Sequence, residues 1–170
     1  MIVLIGYMGS GKSTVGKVLA KQLEMDFIDF DNYIEAKENR SIPEIFKQKG
    51  EVYFRNKETQ YLGELLDENP NVVVSLGGGT PCFGTNMQTI VEASPNVFYL
   101  KLSVDKLISR LKPEKAYRPL IKDIADADLS EFIRKHLFER NFYYMQAPHI
   151  VNVVNQTPEE LAAEVSEKLS

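Results

Sequence analysis

A chain of 170 residues with 44% apolar and 26% charged side chains is long enough to bury a proper core, and its composition is too ordinary for a disordered, collagen-like or disulfide-stapled protein. The formal net charge of −4 excludes capture of nucleic acid by bulk charge, so an anionic ligand has to be caught by local positive charge. The lone cysteine, Cys82, rules out an intrachain disulfide and fits a reducing compartment, and no apolar run approaches the roughly 18 residues of a membrane helix.

The first predicted element is a short buried strand over Ile2–Ile5. It lacks the basic flank of a signal peptide, and glycines and a lysine follow at once, so the chain is read as cytoplasmic. Residues 6–13, GYMGSGKS, fit the phosphate-binding pattern G-x-x-x-x-G-K-[ST]. Phosphate oxygens need several backbone N–H groups at once, which requires a sharp turn with no side chains in the way. Val15, Val18, Leu19 and Leu23 then share one helical face, so a helix starts near Lys12 and adds its positive end. Lys12 is expected to reach the β- and γ-phosphates of a nucleotide, and the Ser13 hydroxyl to ligate Mg²⁺. The alternative is a glycine turn that binds nothing; the strand before it and the helix after it favour phosphate. A GTPase switch is not supported: no Gly has an Asp three residues before it, and Asn56-Lys57-Glu58-Thr59 lacks the final Asp of N-K-x-D.

The second predicted strand, Phe27–Phe30, carries Asp29 and leads to Asp31. Strand alternation sends residues 29 and 31 to the same side, and ligands of open α/β sheets sit beyond the carboxyl ends of the strands. One carboxylate can steer Mg²⁺ through water while the other accepts a hydroxyl proton from a phosphoryl acceptor. The competing reading has Asp31 as a helix N-cap.

Residues 32–71 hold apolar positions at helical spacing, including Ile34, Ile45, Phe54, Tyr61, Leu62 and Leu65, which predicts two or three helices in a small insertion. Arg55 lies there in GEVYFRNKE, with Glu58 three residues on to hold it. The third strand, Val72–Leu76, ends in Gly77-Gly78-Gly79, which either lets a ligand touch backbone or makes a plain turn. After a fourth strand at Val97–Leu102, the polar, proline-punctuated stretch 111–128 reads as a mobile lid, accompanied by Arg110 and Arg118. Arg140 follows in LFERNFYY; with Arg55 it can clamp a carboxylate or phosphate, against the alternative of solvated surface arginines.

His136 is expected on a helix surface, Cys82 in packing, and Tyr143, Tyr144 and the phenylalanines in the core. A fifth strand, Ile150–Val154, precedes a helix opened by Thr157 and Pro158 with Leu161, Val165 and Leu169 on one stripe. Short buried strands alternating with helices imply an α/β fold with a parallel sheet covered on both faces. The residues therefore describe a small-molecule kinase with an anionic, hydroxylated acceptor.

In order along the chain, GYMGSGKST, FIDFDNYIE, SIPEIF, GEVYFRNKE, LGGG, YRPL and the Arg140/Tyr144 pair resemble the shikimate kinase family nearly end to end. The resemblance implies a single kinase domain over 1–170 with the P-loop kinase fold: five parallel strands in the order 2-3-1-4-5, a substrate-binding insertion at about 32–71 and a lid at about 111–128. It implies phosphorylation of the shikimate 3-hydroxyl by ATP with Mg²⁺. The residues themselves, with no unusual apolar stripe to demand a partner, are read as a cytoplasmic monomer without a membrane or nucleic-acid partner. On this pattern Gly9, Ser10, Gly11, Lys12, Ser13 and Thr14 surround the ATP phosphates, and Ser13 ligates Mg²⁺ with Asp29 in support through water. Asp31 binds ring hydroxyls and orients or deprotonates the attacking one. Arg55 and Arg140 hold the substrate carboxylate, and Gly77, Gly78 and Gly79 contact the substrate. Arg118 swings in with the lid, Arg110 lies beside the adenine, and Gln156 and Thr157 complete that pocket. The chain departs from the pattern at Thr80-Pro81-Cys82 and at Pro148. The rival readings are another P-loop kinase, for gluconate or a nucleoside monophosphate, and a nucleotide-binding module without turnover.

Overall fold

The computed structural model describes residues 1–169. Five strands, β1 (Ile2–Ile5), β2 (Asp26–Asp29), β3 (Val72–Ser75), β4 (Val97–Lys101) and β5 (His149–Asn152), form one sheet in the order β2-β3-β1-β4-β5. Every neighbouring pair is parallel, with Val3 opposite Val74 on one side and Val97 on the other. β1 and β3 are buried along their whole length, as expected of central strands covered on both faces.

Helix α1 (Lys12–Gln22) follows β1 and packs along α8 (Pro158–Glu167). Val15 and Leu19 of the α1 stripe are buried, as are Leu161 and Val165 of α8. Thr157 caps α8 with a full capping box to Glu160, and Pro158 sits in the first turn, where its missing N–H costs nothing. The insertion is three helices, α2 (Phe30–Glu38), α3 (Ile42–Lys49) and α4 (Glu51–Glu68). They bury Ile34, Ile45, Phe54, Leu62 and Leu65 against one another and the sheet. α5 (Asn86–Ala93) follows β3 after a 3₁₀ turn at Thr80–Cys82.

Three expectations need correcting. The second strand ends at Asp29 rather than Phe30, and it is Asp29, not Asp31, that caps α2 by accepting from the Asn32 N–H. Residues 111–128 are helical at both ends rather than loop throughout, with 118–125 in turns: α6 (Val104–Glu114) runs through Pro113, a 3₁₀ turn follows at Lys115–Tyr117, and α7 (Asp126–Tyr144) starts at Asp126. Leu111 and Ile121 are fully buried, which ties the last turn of α6 and the middle of the connection to the core. Phe138 and Phe142 are not core; α7 carries both on its outer face. Among the described residues no helix is long and apolar enough to cross a membrane.

Candidate active site

The carboxyl ends of β1, β2 and β3 open into a cavity of about 430 Å³. Its walls come from the loop after β1 (Met8, Gly9, Gly11), the start of α1 (Lys12, Ser13, Thr14), Asp29 and Asp31, the end of β3 (Ser75 to Gly78), and Arg110, Glu114 and Arg118. Gly9 and Gly11 have φ of +77° and +93°, a backbone that side-chain-bearing residues rarely adopt. Their conformation lets the loop close onto the α1 N-terminus and present its amides to an anion.

Lys12 is buried, and its ammonium donates to the Gly6 carbonyl at 2.9 Å and the Tyr7 carbonyl at 3.1 Å. Burial pushes it down to about 8, against the pull of Asp31 and Asp29. The Ser13 hydroxyl donates to Asp29 at 2.6 Å and lies 3.2 Å from the Ser75 hydroxyl. This is an all-oxygen set of the kind hard divalent cations take, with room for phosphate and water to complete the shell. Asp31 stands in the first turn of α2; burial raises its carboxyl to about 6, and the neighbouring Asp29 adds to the rise. Both carboxylates reach the cavity because the chain turns from strand to helix between them, not because a strand continues to residue 31.

The glycine run after β3 works through the space it leaves. A Cβ on Gly77 would come within 2.6 Å of Asp31 Oδ1, and one on Gly79 within 3.1 Å of Arg55 Nη1 and 3.5 Å of Arg140 Nη2. The three functional side chains thus converge on this turn, and none of the three glycines needs a positive φ. Arg55 extends from α4 and donates to Glu58 at 2.8 Å; Glu58 is 1% exposed. Arg140 extends from α7, whose Tyr144 hydroxyl donates to the Gly78 carbonyl at 2.5 Å. Cys82 accompanies this cluster with its thiol pushed up to about 11 by burial, which keeps it protonated and supports a packing role.

On the opposite side, Arg110 of α6 donates to the carbonyls of Gly9 and Ser10, both at 3.2 Å. It borders a second, smaller pocket of about 190 Å³ with Ser10, Gly11, Thr14, Gln156, Pro158 and Leu161. Ser10 and Gln156 line this pocket and not the main cavity, and the Gln156 carboxamide itself folds back to the N–H groups of Val154 and Asn155. Arg118 reaches the main cavity while paired with Glu114 one turn earlier.

Two contributions escape the motif reading. Ser75, the polar end of an otherwise apolar strand, was the available signal for the Ser13 contact. His136 is not free surface: it lies half-buried against the Tyr7 hydroxyl, 2.8 Å from Nδ1, with the rings edge to face. Burial and the nearby Arg140 lower it to about 4, so it is neutral at pH 7.

A family model described as shikimate kinase matches residues 8–170. A shikimate kinase from Flavobacterium johnsoniae is 44% identical over 99% of this chain and 98% of its own length. The crystal structure of shikimate kinase from Bacteroides thetaiotaomicron superposes with a TM-score of 0.89 at 36% identity, covering 98% of this chain and 96% of that one. Shikimate kinase from Acinetobacter baumannii, solved in complex with shikimate, gives a TM-score of 0.85 at 34% identity over 99% and 94% of the two chains. With the parallel sheet in the order 2-3-1-4-5 and a phosphate loop opening α1, the chain belongs to the shikimate kinase family and is an ATP-dependent kinase.

Proposed function

We propose that this chain transfers the γ-phosphoryl group of ATP to the 3-hydroxyl of shikimate, working as a cytoplasmic monomer on freely diffusing substrates. The observation that carries the reading is the convergence of Asp31, Arg55 and Arg140 on the Gly77–Gly79 turn, whose Gly77 and Gly78 line the same cavity as Lys12 and the phosphate loop, while the two arginines stand behind that lining. An acceptor with both a carboxylate and ring hydroxyls meets two guanidinium groups and a general base in that arrangement.

The loop amides, Lys12, Ser13 and Thr14 hold the triphosphate, and Thr14, Arg110 and Gln156 border the place for the adenine. Ser13, with Asp29 through water, fits Mg²⁺, which supplies charge neutralisation on the β- and γ-phosphates. Asp31 orients the attacking hydroxyl and takes its proton as the oxygen bonds to the γ-phosphorus. The bond from that phosphorus to the β–γ bridging oxygen breaks, and ADP departs. Arg118 shifts from Glu114 onto the moving phosphoryl group as the segment around 111–128 closes, excluding water that would otherwise compete as acceptor.

The test is ADP release measured in parallel with shikimate, gluconate and nucleoside monophosphates. Saturable release with shikimate alone is the expected result. Preference for another acceptor, or release with none, overturns the reading.

A further inference from the structure

Arg55 is held before any acceptor arrives. Its guanidinium carbon stands 3.7 Å from the centre of the Phe83 ring and 5.1 Å from that of Phe54. Its Nη1 donates to one oxygen of Glu58, and the other oxygen of Glu58 accepts from the Thr80 hydroxyl at 2.7 Å. Thr80 and Glu58 are 0% and 1% exposed, so this carboxylate has left water and depends on these partners. Thr80 is fixed in turn. Its N–H donates to the Gly77 carbonyl at 3.1 Å, and its own carbonyl accepts from Asn86 at 2.9 Å. The Asn86 oxygen takes the Thr59 hydroxyl, also at 2.9 Å, which settles which way the buried amide faces.

This relay starts from Thr80-Pro81-Cys82, one of the two places where the chain departs from the pattern, and from Phe83, which follows it. A free arginine side chain has many rotamers to lose on binding, and one already stacked and hydrogen-bonded has fewer. Phe83 restrains the plane of the guanidinium, and Glu58 restrains its rotation within that plane. Thr80 keeps Glu58 in place; without the hydroxyl, that buried oxygen would turn toward Arg55 and compete with the acceptor for its donors.

We propose that Thr80 and Phe83 are positioning residues for acceptor recognition: Thr80 acts through Glu58, and Phe83 by stacking directly on Arg55. This rests on the reading above, in which Arg55 holds the acceptor carboxylate.

Steady-state kinetics of the full chain test it with Thr80→Val, Thr80→Ser, Phe83→Leu and Arg55→Ala, using shikimate and its carboxamide analogue as acceptors. Thr80→Val is expected to raise KM for shikimate about tenfold, with kcat and KM for ATP within about twofold. Thr80→Ser, which restores the hydroxyl, returns KM to near the parent value. Phe83→Leu raises KM about fivefold by removing the stacking face. With the carboxamide, which lacks the charge Arg55 recognises, parent and variants converge. An unchanged shikimate KM in both Thr80→Val and Phe83→Leu, or an equal rise for acid and amide, overturns the inference. If Thr80→Val does not fold, Phe83→Leu carries the test alone, because its ring is only partly buried. If Arg55→Ala itself leaves the shikimate KM unchanged, the reading of Arg55 fails, and that outcome is distinct from failure of the relay.

Discussion

Replacing Asp31 with Asn should stabilise the free protein while abolishing most of its turnover. The Asp31 carboxyl is raised from 3.8 to about 6, first by burial and then by Asp29. The folded protein therefore holds this proton more tightly than the unfolded chain does. The stability this contributes is complete below pH 3.8 and is lost as pH rises through about 6, so at pH 7.5 the charged group is a burden. A displacement of about 2 pH units at 1.36 kcal/mol each amounts to about 3 kcal/mol. Asp31 keeps part of its surface open to the cavity, and the water there reduces the expected gain to roughly 1–2 kcal/mol. For a chain of this length that is a rise in Tm of about 3–6 °C. Thermal melts of parent and Asp31→Asn at pH 7.5 and 4.5 measure it. The gain should shrink by more than half at the lower pH, where the parent carboxyl has taken up its proton, while turnover at pH 7.5 falls about 10²–10⁴-fold. A variant that melts no higher than the parent at pH 7.5, or a gain that ignores pH, would refute the claim that Asp31 is held in an unfavourable charged state for catalysis.

The pH profile of kcat/KM for the acceptor should fall on the acid side with an inflection near 6, losing about tenfold between pH 7 and 5. Asp29→Asn should move that inflection lower, and a profile flat to pH 5 would remove Asp31 as base. With ATP as the varied substrate, kcat/KM should decline above about pH 8 as free Lys12 loses its proton; constancy to pH 9.5 would contradict the assigned role. Gly77→Ala and Gly79→Ala should separate the two halves of the acceptor site. The first intrudes within 2.6 Å of Asp31 Oδ1 and should chiefly lower kcat, whereas the second presses on Arg55 and should chiefly raise acceptor KM. Identical kinetic defects in the pair would sink that division. Arg140→Ala should raise acceptor KM about 10–100-fold through loss of a charge-assisted contact, with ATP affinity unchanged by equilibrium titration.

Much of this site was legible because phosphate binding imposes a local pattern. The glycine spacing of residues 6–13, the apolar strand before it and the amphipathic helix after it all lie between Ile2 and Gln22, and the structure reproduces them. The same holds for the opening of α8 at Thr157 and Pro158. What the sequence left open was non-local. Glu58 was visible as an i+3 partner of Arg55, but nothing near it in sequence announced that Thr80 would take its second oxygen. The glycine run at 77–79 read either as backbone open to a ligand or as a plain turn; its steric role depends on where α2, α4 and α7 deliver Asp31, Arg55 and Arg140. The stretch 111–128 looked irregular because its polarity and its prolines outweighed its few apolar residues, of which Leu111 and Ile121 prove fully buried. His136 looked isolated because its partner, Tyr7, lies 129 residues away.

The central claim is that a triphosphate bound at Lys12 and an acidic polyol bound at the Gly77–Gly79 turn meet, and that a phosphoryl group passes between them. Phosphorus NMR of a reaction containing the protein, ATP, Mg²⁺ and shikimate tests this most directly. The expected spectrum shows ADP and a single new phosphate monoester in equal amounts, with the ester phosphorus coupled to the proton on carbon 3. ADP accompanied only by inorganic phosphate, or an ester at another hydroxyl, would contradict it.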